Sequence, residues 1–157
     1  MKVSFTQHLL IDGANILHAW PEFRPLLKRD RAAARSQLVQ RVSTIHDSEL
    51  VRVTLVFDGR GTELIVERPS GHATFSVLYT PSALTADDLI EQLVAKAADP
   101  SLCIVATGDR GERETVEASG ARVIPPEELA AWVGRVEARQ SARVGELRLA
   151  NSKKWRK

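Results

Sequence analysis

Four aspartates stand where they could do chemistry together. Asp12 closes the apolar run LLID, Asp58 closes LVFD, and Asp109 ends IVATGD. Asp87, with Asp88 beside it, lies in the stretch LTADD at residues 84–88. Carboxylates gathered at one place repel one another unless a cation neutralises them. Hard oxygen donors favour Mg²⁺ or Mn²⁺, and four His with a single Cys argue against zinc. Such a cluster suits phosphodiester hydrolysis, with a metal-activated water as nucleophile. Asp12 then reads as a ligand, and Asn15, three residues on, as a group that orients a water or the scissile phosphate. Each acid also has a structural alternative. Asp12-Gly13 could be an Asx-turn, Asp58-Gly59 is a common turn dipeptide, and Asp87 and Asp88 suit the first turn of a helix. Asp109 could be an N-cap with Glu112 completing a capping box. The set is more telling than any member, because chance turns need not share one edge.

The elements that would bring these acids together alternate along the chain. Val3–Phe5 with residues 9–11 predict a first strand, residues 50–58 a central one, 102–107 a buried one and 121–124 a last short one. Two short strands surround Pro69-Ser70-Gly71. Apolar spacing predicts helices over Asp30–His46 and Thr85–Ala98, the latter with Leu84 and Leu89 as a hydrophobic staple. A helix follows Asp109 and stops at Gly120, and Pro125-Pro126 opens a final one through Trp132. This alternation predicts an α/β domain, its mostly parallel sheet flanked by helices on both faces. In such a sheet the carboxyl ends of the strands form one edge, where ligands bind.

At 157 residues, 43% hydrophobic and 27% charged, the chain fits one globular domain. No apolar run approaches the ~20 residues of a membrane span, and no apolar leader with a cleavage site opens the chain, so it reads as cytoplasmic with no membrane partner. Cys103 is alone, which excludes an internal disulfide. The net charge of +2 conceals an asymmetry: residues 134–157 carry eight Lys/Arg against two Glu, so the rest is acidic. That division separates a body, residues 1–133, from a basic helical extension, residues 134–157, suited to a polyanion such as RNA or to solvent alone.

These residues resemble the NYN-domain family of PIN-like nucleases, in its YacP-like bacterial branch, which includes a ribosome-associated messenger-RNA endonuclease. The matching stretches are LLIDGANILHAWPEF (9–23), VTLVFDGRG (53–61), VLYTPSALTADDLIEQL (77–93) and CIVATGDRGERETVEASGARVIPPEEL (103–129). The resemblance implies a single PIN-like domain and Mg²⁺- or Mn²⁺-dependent cleavage of single-stranded RNA, with the ribosome as a further partner. By position, Asp12, Asp87 and Asp109 would hold the metal, and Asp58 and Asn15 would assist. Asp88 and Thr107 would support, Thr107 by bonding a metal-bound water. Arg60 and Arg110, next to site acids, and Lys153, Lys154, Arg156 and Lys157 in the tail would contact phosphates. Trp155 could stack on a base, whereas Trp20 and Trp132 read as packing residues. Two positions depart from the family pattern. Ala14 stands where many relatives have Tyr, and Gly111 where many have a second acid, which bears on a second metal.

Other classes fit less well. A haloacid-dehalogenase phosphatase needs a second acid two residues after Asp58, and that residue is Arg60. DGANIL lacks the glycine spacing of a dinucleotide-binding turn. The alternative that remains is a non-catalytic RNA- or ribosome-binding adaptor that keeps the fold.

Overall fold

The central strands are apolar along nearly their whole length because both their faces are covered. The computed structural model describes the backbone of residues 7–155 and the side chains of residues 7–150. The expected strand residues Val3–Phe5 lie outside the described residues. Among the described residues six strands form one sheet: β1 (Gln7–Asp12), β2 (Val51–Phe57), β3 (Ile65–Glu67), β4 (Phe75–Tyr79), β5 (Cys103–Ala106) and β6 (Arg122–Ile124). Their order is β3-β4-β2-β1-β5-β6, and only β3 runs antiparallel. Leu9 and Ile11 point into one core and Leu10 into the other. The first core is closed by α1 (Gly13–Ala19), α2 (Arg24–Arg29), α3 (Arg31–Glu49) and α6 (Pro126–Trp155). The second is closed by α4 (Ala86–Ala95) and α5 (Arg110–Ala118). The expected α/β architecture with helices on both faces is what forms.

Register carries the acids to one edge. Asp12 pairs with Val56 and Ile11 with Ala106, so Asp58 lies just past β2 and Asp109 just past β5. The strand order reverses beside β1, so a crevice opens between β1 and β5 at their carboxyl ends.

Two parts of the chain differ from expectation. Residues 13–29 form two short helices, each too brief to show helical periodicity and each bounded by a proline-containing turn. The last helix continues beyond Trp132 to Trp155, because Val133 and Val136 keep its apolar stripe on the core and helix-favouring residues follow. Trp20 and Trp132 do pack, donating to the Pro126 carbonyl at 2.9 Å and to Glu49 at 2.6 Å. Arg139 also bonds Glu49, while Arg41 joins Glu22 and Glu137 at 2.9 and 3.2 Å across the Trp20 ring. From Ser141 to Ala150 every residue is exposed. No helix among the described residues is long and apolar enough to cross a membrane.

The strand that carries Asp12 also carries a pH-sensitive group. His8 bonds Thr54 at 2.7 Å, and burial, then the charge of Arg52 in the opposite register position, lower its pKa from 6.5 to about 4. Within that window the unfolded chain binds a proton that the native state does not, so stability falls as pH drops through it. A His8→Gln variant is expected to lose this part of the acid sensitivity, read as urea midpoints of both proteins across the window.

Candidate active site

Asp12 ends β1 and caps α1, its Oδ1 accepting from the Asn15 N–H at 3.4 Å. The turn between them is tight: a Cβ on Gly13 would meet the Phe57 ring at 2.2 Å, so only glycine allows α1 to start here. Asn15 reaches across the crevice, its Oδ1 accepting from the Gly108 N–H at 2.7 Å. It ties the β1–α1 turn to the β5–α5 turn, which leaves its Nδ2 as the part able to address a water or a phosphate. Asp58 accepts from the Ala86 N–H at 2.9 Å and thereby docks the start of α4 onto the end of β2. Asp87, half-buried, and the exposed Asp88 occupy the first turn of α4, which Thr85 caps by accepting from the Asp88 N–H at 3.2 Å.

Asp109 is the N-cap of α5, accepting from the Glu112 N–H at 3.0 Å. The expected capping box is only half made. The Glu112 side chain does not return to the Asp109 N–H; it turns inward and is 1% exposed. Thr107 stands in for it, accepting from the Asp109 N–H at 3.1 Å and donating to Glu112 Oε2 at 2.8 Å. Its single hydroxyl proton is thus given to Glu112, so toward a water Thr107 can act only as an acceptor.

Glu112 is the acid that sequence reasoning assigned to a cap. Its Oε1 is buried and finds no donor among the protein's fixed N–H and O–H groups. Electrostatically it faces the Asp12 carboxyl, and because two ionised carboxylates repel, the pair favours keeping a proton. Burial, then the Asp12 charge and hydrogen bonding to Asp12, push the Glu112 pKa up to about 9, with Thr107 opposing. Burial also raises Asp12, with Asp87 and Asp58 adding to it and the bonds from Glu112 and Asn15 opposing. The half-buried Glu91 is raised by burial first, then by Asp87, Asp88 and Asp109. A signal for Glu112 did exist: Glu112 and Val116, four residues apart, form the buried face of α5.

The structure therefore gathers Asp12, Glu112, Asp87 and Asp58 within electrostatic reach, while Asp109 and Asp88 act on the Glu91 side. Among the described residues, no three His, Cys, Asp or Glu side chains form a closed cage for a metal ion. The expected triad of Asp12, Asp87 and Asp109 is accordingly not a preformed one, because capping α5 holds an oxygen of Asp109 at the helix end. The donor set nevertheless fits Mg²⁺ or Mn²⁺. Mg²⁺ takes one or two protein carboxylates and keeps several waters, and the half-buried Asp12 carboxyl lies within electrostatic reach of the buried, unpartnered Glu112 Oε1. Arg60 is exposed on the loop after β2, and Arg110 is exposed at the start of α5. Lys153 and Lys154 lie on α6 beyond the described side chains, as does Trp155, and Arg156 and Lys157 lie outside the described residues.

An open, mostly parallel sheet with an acid-lined crevice at its switch point is an α/β architecture that binds ligands at that edge, and likeness to known proteins narrows it. The family model of the YacP-like NYN domain matches residues 9–157, and the chain belongs to that family. It is 30% identical over 140 residues to the uncharacterized protein YacP of Bacillus subtilis (strain 168), covering 88% of this chain and 82% of that one. The crystal structure of Rae1 (YacP) from Bacillus subtilis superposes with a TM-score of 0.77 at 28% identity, covering 94% of this chain and 84% of that one. A single-substitution variant of that protein gives a TM-score of 0.75 at 29% identity, covering 90% of this chain and 82% of that one. Membership points to a nuclease-type, RNA-related function.

The Asp12–Glu112 contact makes a measurable prediction for the metal-free protein. Native Glu112 keeps its proton to about 9, whereas the unfolded chain releases it near 4.5, so stability falls as pH rises across that window. Glu112→Gln keeps an acceptor for Thr107 and should abolish this slope; Glu112→Ala orphans the Thr107 hydroxyl and should cost about 1–3 kcal/mol at neutral pH. Urea denaturation in EDTA distinguishes the two.

Proposed function

We propose that the protein is a metal-dependent endoribonuclease that hydrolyses phosphodiester bonds of single-stranded RNA. The observation that carries this reading is the pairing of half-buried Asp12 with buried Glu112, with Asp87 and Asp58 within electrostatic reach, at the switch point of the sheet. Asp12 and Glu112 would hold the ion, and Asp87 would bond its waters. When bound, Mg²⁺ or Mn²⁺ supplies positive charge for the phosphoryl oxygens and lowers the pKa of a water. Asp109 and Thr107 hold Glu112 in place by fixing the first turn of α5. Asp58 fixes the first turn of α4 and so the position of Asp87, and Asp88 adds negative charge at the rim. The Asn15 amide is placed to orient a water or a phosphate oxygen. Arg60, Arg110 and the basic tail would neutralise substrate phosphates, in an affinity that weakens as salt rises. Family resemblance supports RNA over DNA, the ribosome as partner and a cytoplasmic setting.

Cleavage of labelled single-stranded RNA by wild type with Mg²⁺ or Mn²⁺ should stop in EDTA and fall at least about 100-fold in Asp12→Asn and Asp87→Asn, the scale on which removing one stabilising group acts. Equal cleavage by all three proteins would remove the site. Binding without cleavage by wild type, even with ribosomes, would favour the adaptor. Removing residues 141–157, exposed where their side chains are described, should flatten the salt dependence of RNA binding by about 0.7 in log–log slope for each phosphate no longer neutralised.

A further inference from the structure

A cavity of about 160 Å³ opens beside Asp58, between α1, α3 and the end of β2. It is smaller than the roughly 300–1,000 Å³ that encloses a whole drug-sized ligand, so it suits one unit of a chain passing through. Arg31, Arg35 and Arg60 line it, and Ala14 and Leu27 contribute apolar wall. The Arg35 guanidinium lies 5.6 and 5.9 Å from the centres of the Phe57 and Tyr79 rings, which fix it over the cavity wall. His18, Leu27 and Arg31 also line a neighbouring groove that adds Arg24 and Lys28. The two openings thus form one path, cationic along its length, that begins at a site acid.

The fold does not neutralise these cations. The ion pairs among the described residues engage Arg41, Arg113, Arg122, Arg139 and His46, and none of the arginines or the lysine on this path. Arg31 occupies the first turn of α3, where the helix dipole disfavours a cation. Asp30 beside it is turned to the Ala33 N–H, at 3.1 Å, as the helix cap. A row of cations outside any ion pair, leading away from an acid centre, has the charge pattern of a groove that tracks a phosphate backbone.

We propose that this path is the binding track for the single-stranded RNA flanking the scissile phosphate. Arg31, Arg35 and Arg60 hold the phosphate next to the acid centre, and a ribose or base rests on Ala14 and Leu27. Arg24 and Lys28 hold the phosphates beyond it. The proposal rests on the nuclease reading for its starting point and adds a substrate surface separate from the basic tail.

The test is equilibrium binding of a short fluorescent oligouridylate in EDTA, over a salt series, with cleavage measured separately in Mg²⁺ or Mn²⁺. Lys28→Glu/Arg31→Glu, both exposed positions, should weaken binding about tenfold or more and flatten the log–log salt slope by about 0.7 for each phosphate released from the track. Arg35→Gln, which removes a cation from the cavity wall, should weaken binding and slow cleavage. Melting curves that match wild type establish that the variants fold. Wild-type binding by either variant would overturn the track, and cleavage by wild type in the same experiment would leave the nuclease reading intact. Weakened binding by both variants, with no cleavage by wild type under any metal, would support the track and remove the nuclease reading.

Discussion

A half-buried carboxyl faces a buried one, and the acid edge of the molecule is arranged around the pair. Asp12 leaves the central strand, and Glu112 turns down from the buried face of α5 to meet it. Neither can be fully ionised there without a counter-charge, because removing two carboxylates from water and placing them together is unfavourable twice over. A proton satisfies the contact in one state and a cation would satisfy it in another. The contact also depends on order at a distance. Asn15 clamps Gly108, Thr107 links Asp109 to Glu112, and Asp58 pins the start of α4. These bonds tie the acids' helices to three neighbouring strands, so the site inherits the rigidity of the sheet.

The charge distribution divides the carboxyl edge into two unlike parts. Asp12, Asp58, Asp87, Glu91 and Glu112 make its centre acidic, whereas the flank formed by α1, α2 and the start of α3 is basic. A modest net charge of +2 conceals this, because the sum cancels fields that do not cancel in space. Local fields govern how a polyanion approaches. An acid centre alone would repel RNA, and a cationic flank alone would hold it with no chemistry at hand. Their adjacency at Asp58 sets the two opposite fields side by side at the carboxyl edge.

Much of this arrangement was legible in the sequence. The runs ending at Asp12, Asp58 and Asp109 are buried parallel strands, and their common edge follows from topology. The helix at LTADD was legible because its cap and apolar spacing agree. Residues 13–29 were not, since helices of six and seven residues give periodicity too little length. Nor was the inward turn of Glu112: a glutamate three residues after an N-cap satisfies a local rule, and only tertiary packing shows that its carboxyl leaves the cap. The cationic path joins Lys28, Arg31 and Arg60, which are ordinary as single surface residues in a chain with 22 Lys and Arg.

Gly111 stands where the family resemblance places a second acid, and its position explains the consequence. It lies exposed in the first turn of α5, with the Asp109 side chain 3.4 Å from where its Cβ would be. An acid there would add charge at the rim, beside Asp109 and facing Glu91. This chain adds its charge one residue later, where the helix has rotated onto its buried face. The acid then enters from beneath, against Asp12, and desolvation replaces solvent screening as the dominant effect on it. A rim acid stays ionised with little help, whereas a buried one stays protonated until something displaces the proton. The placement of Glu112 thus gathers the buried acidic group at one point, next to Asp12, instead of along the rim.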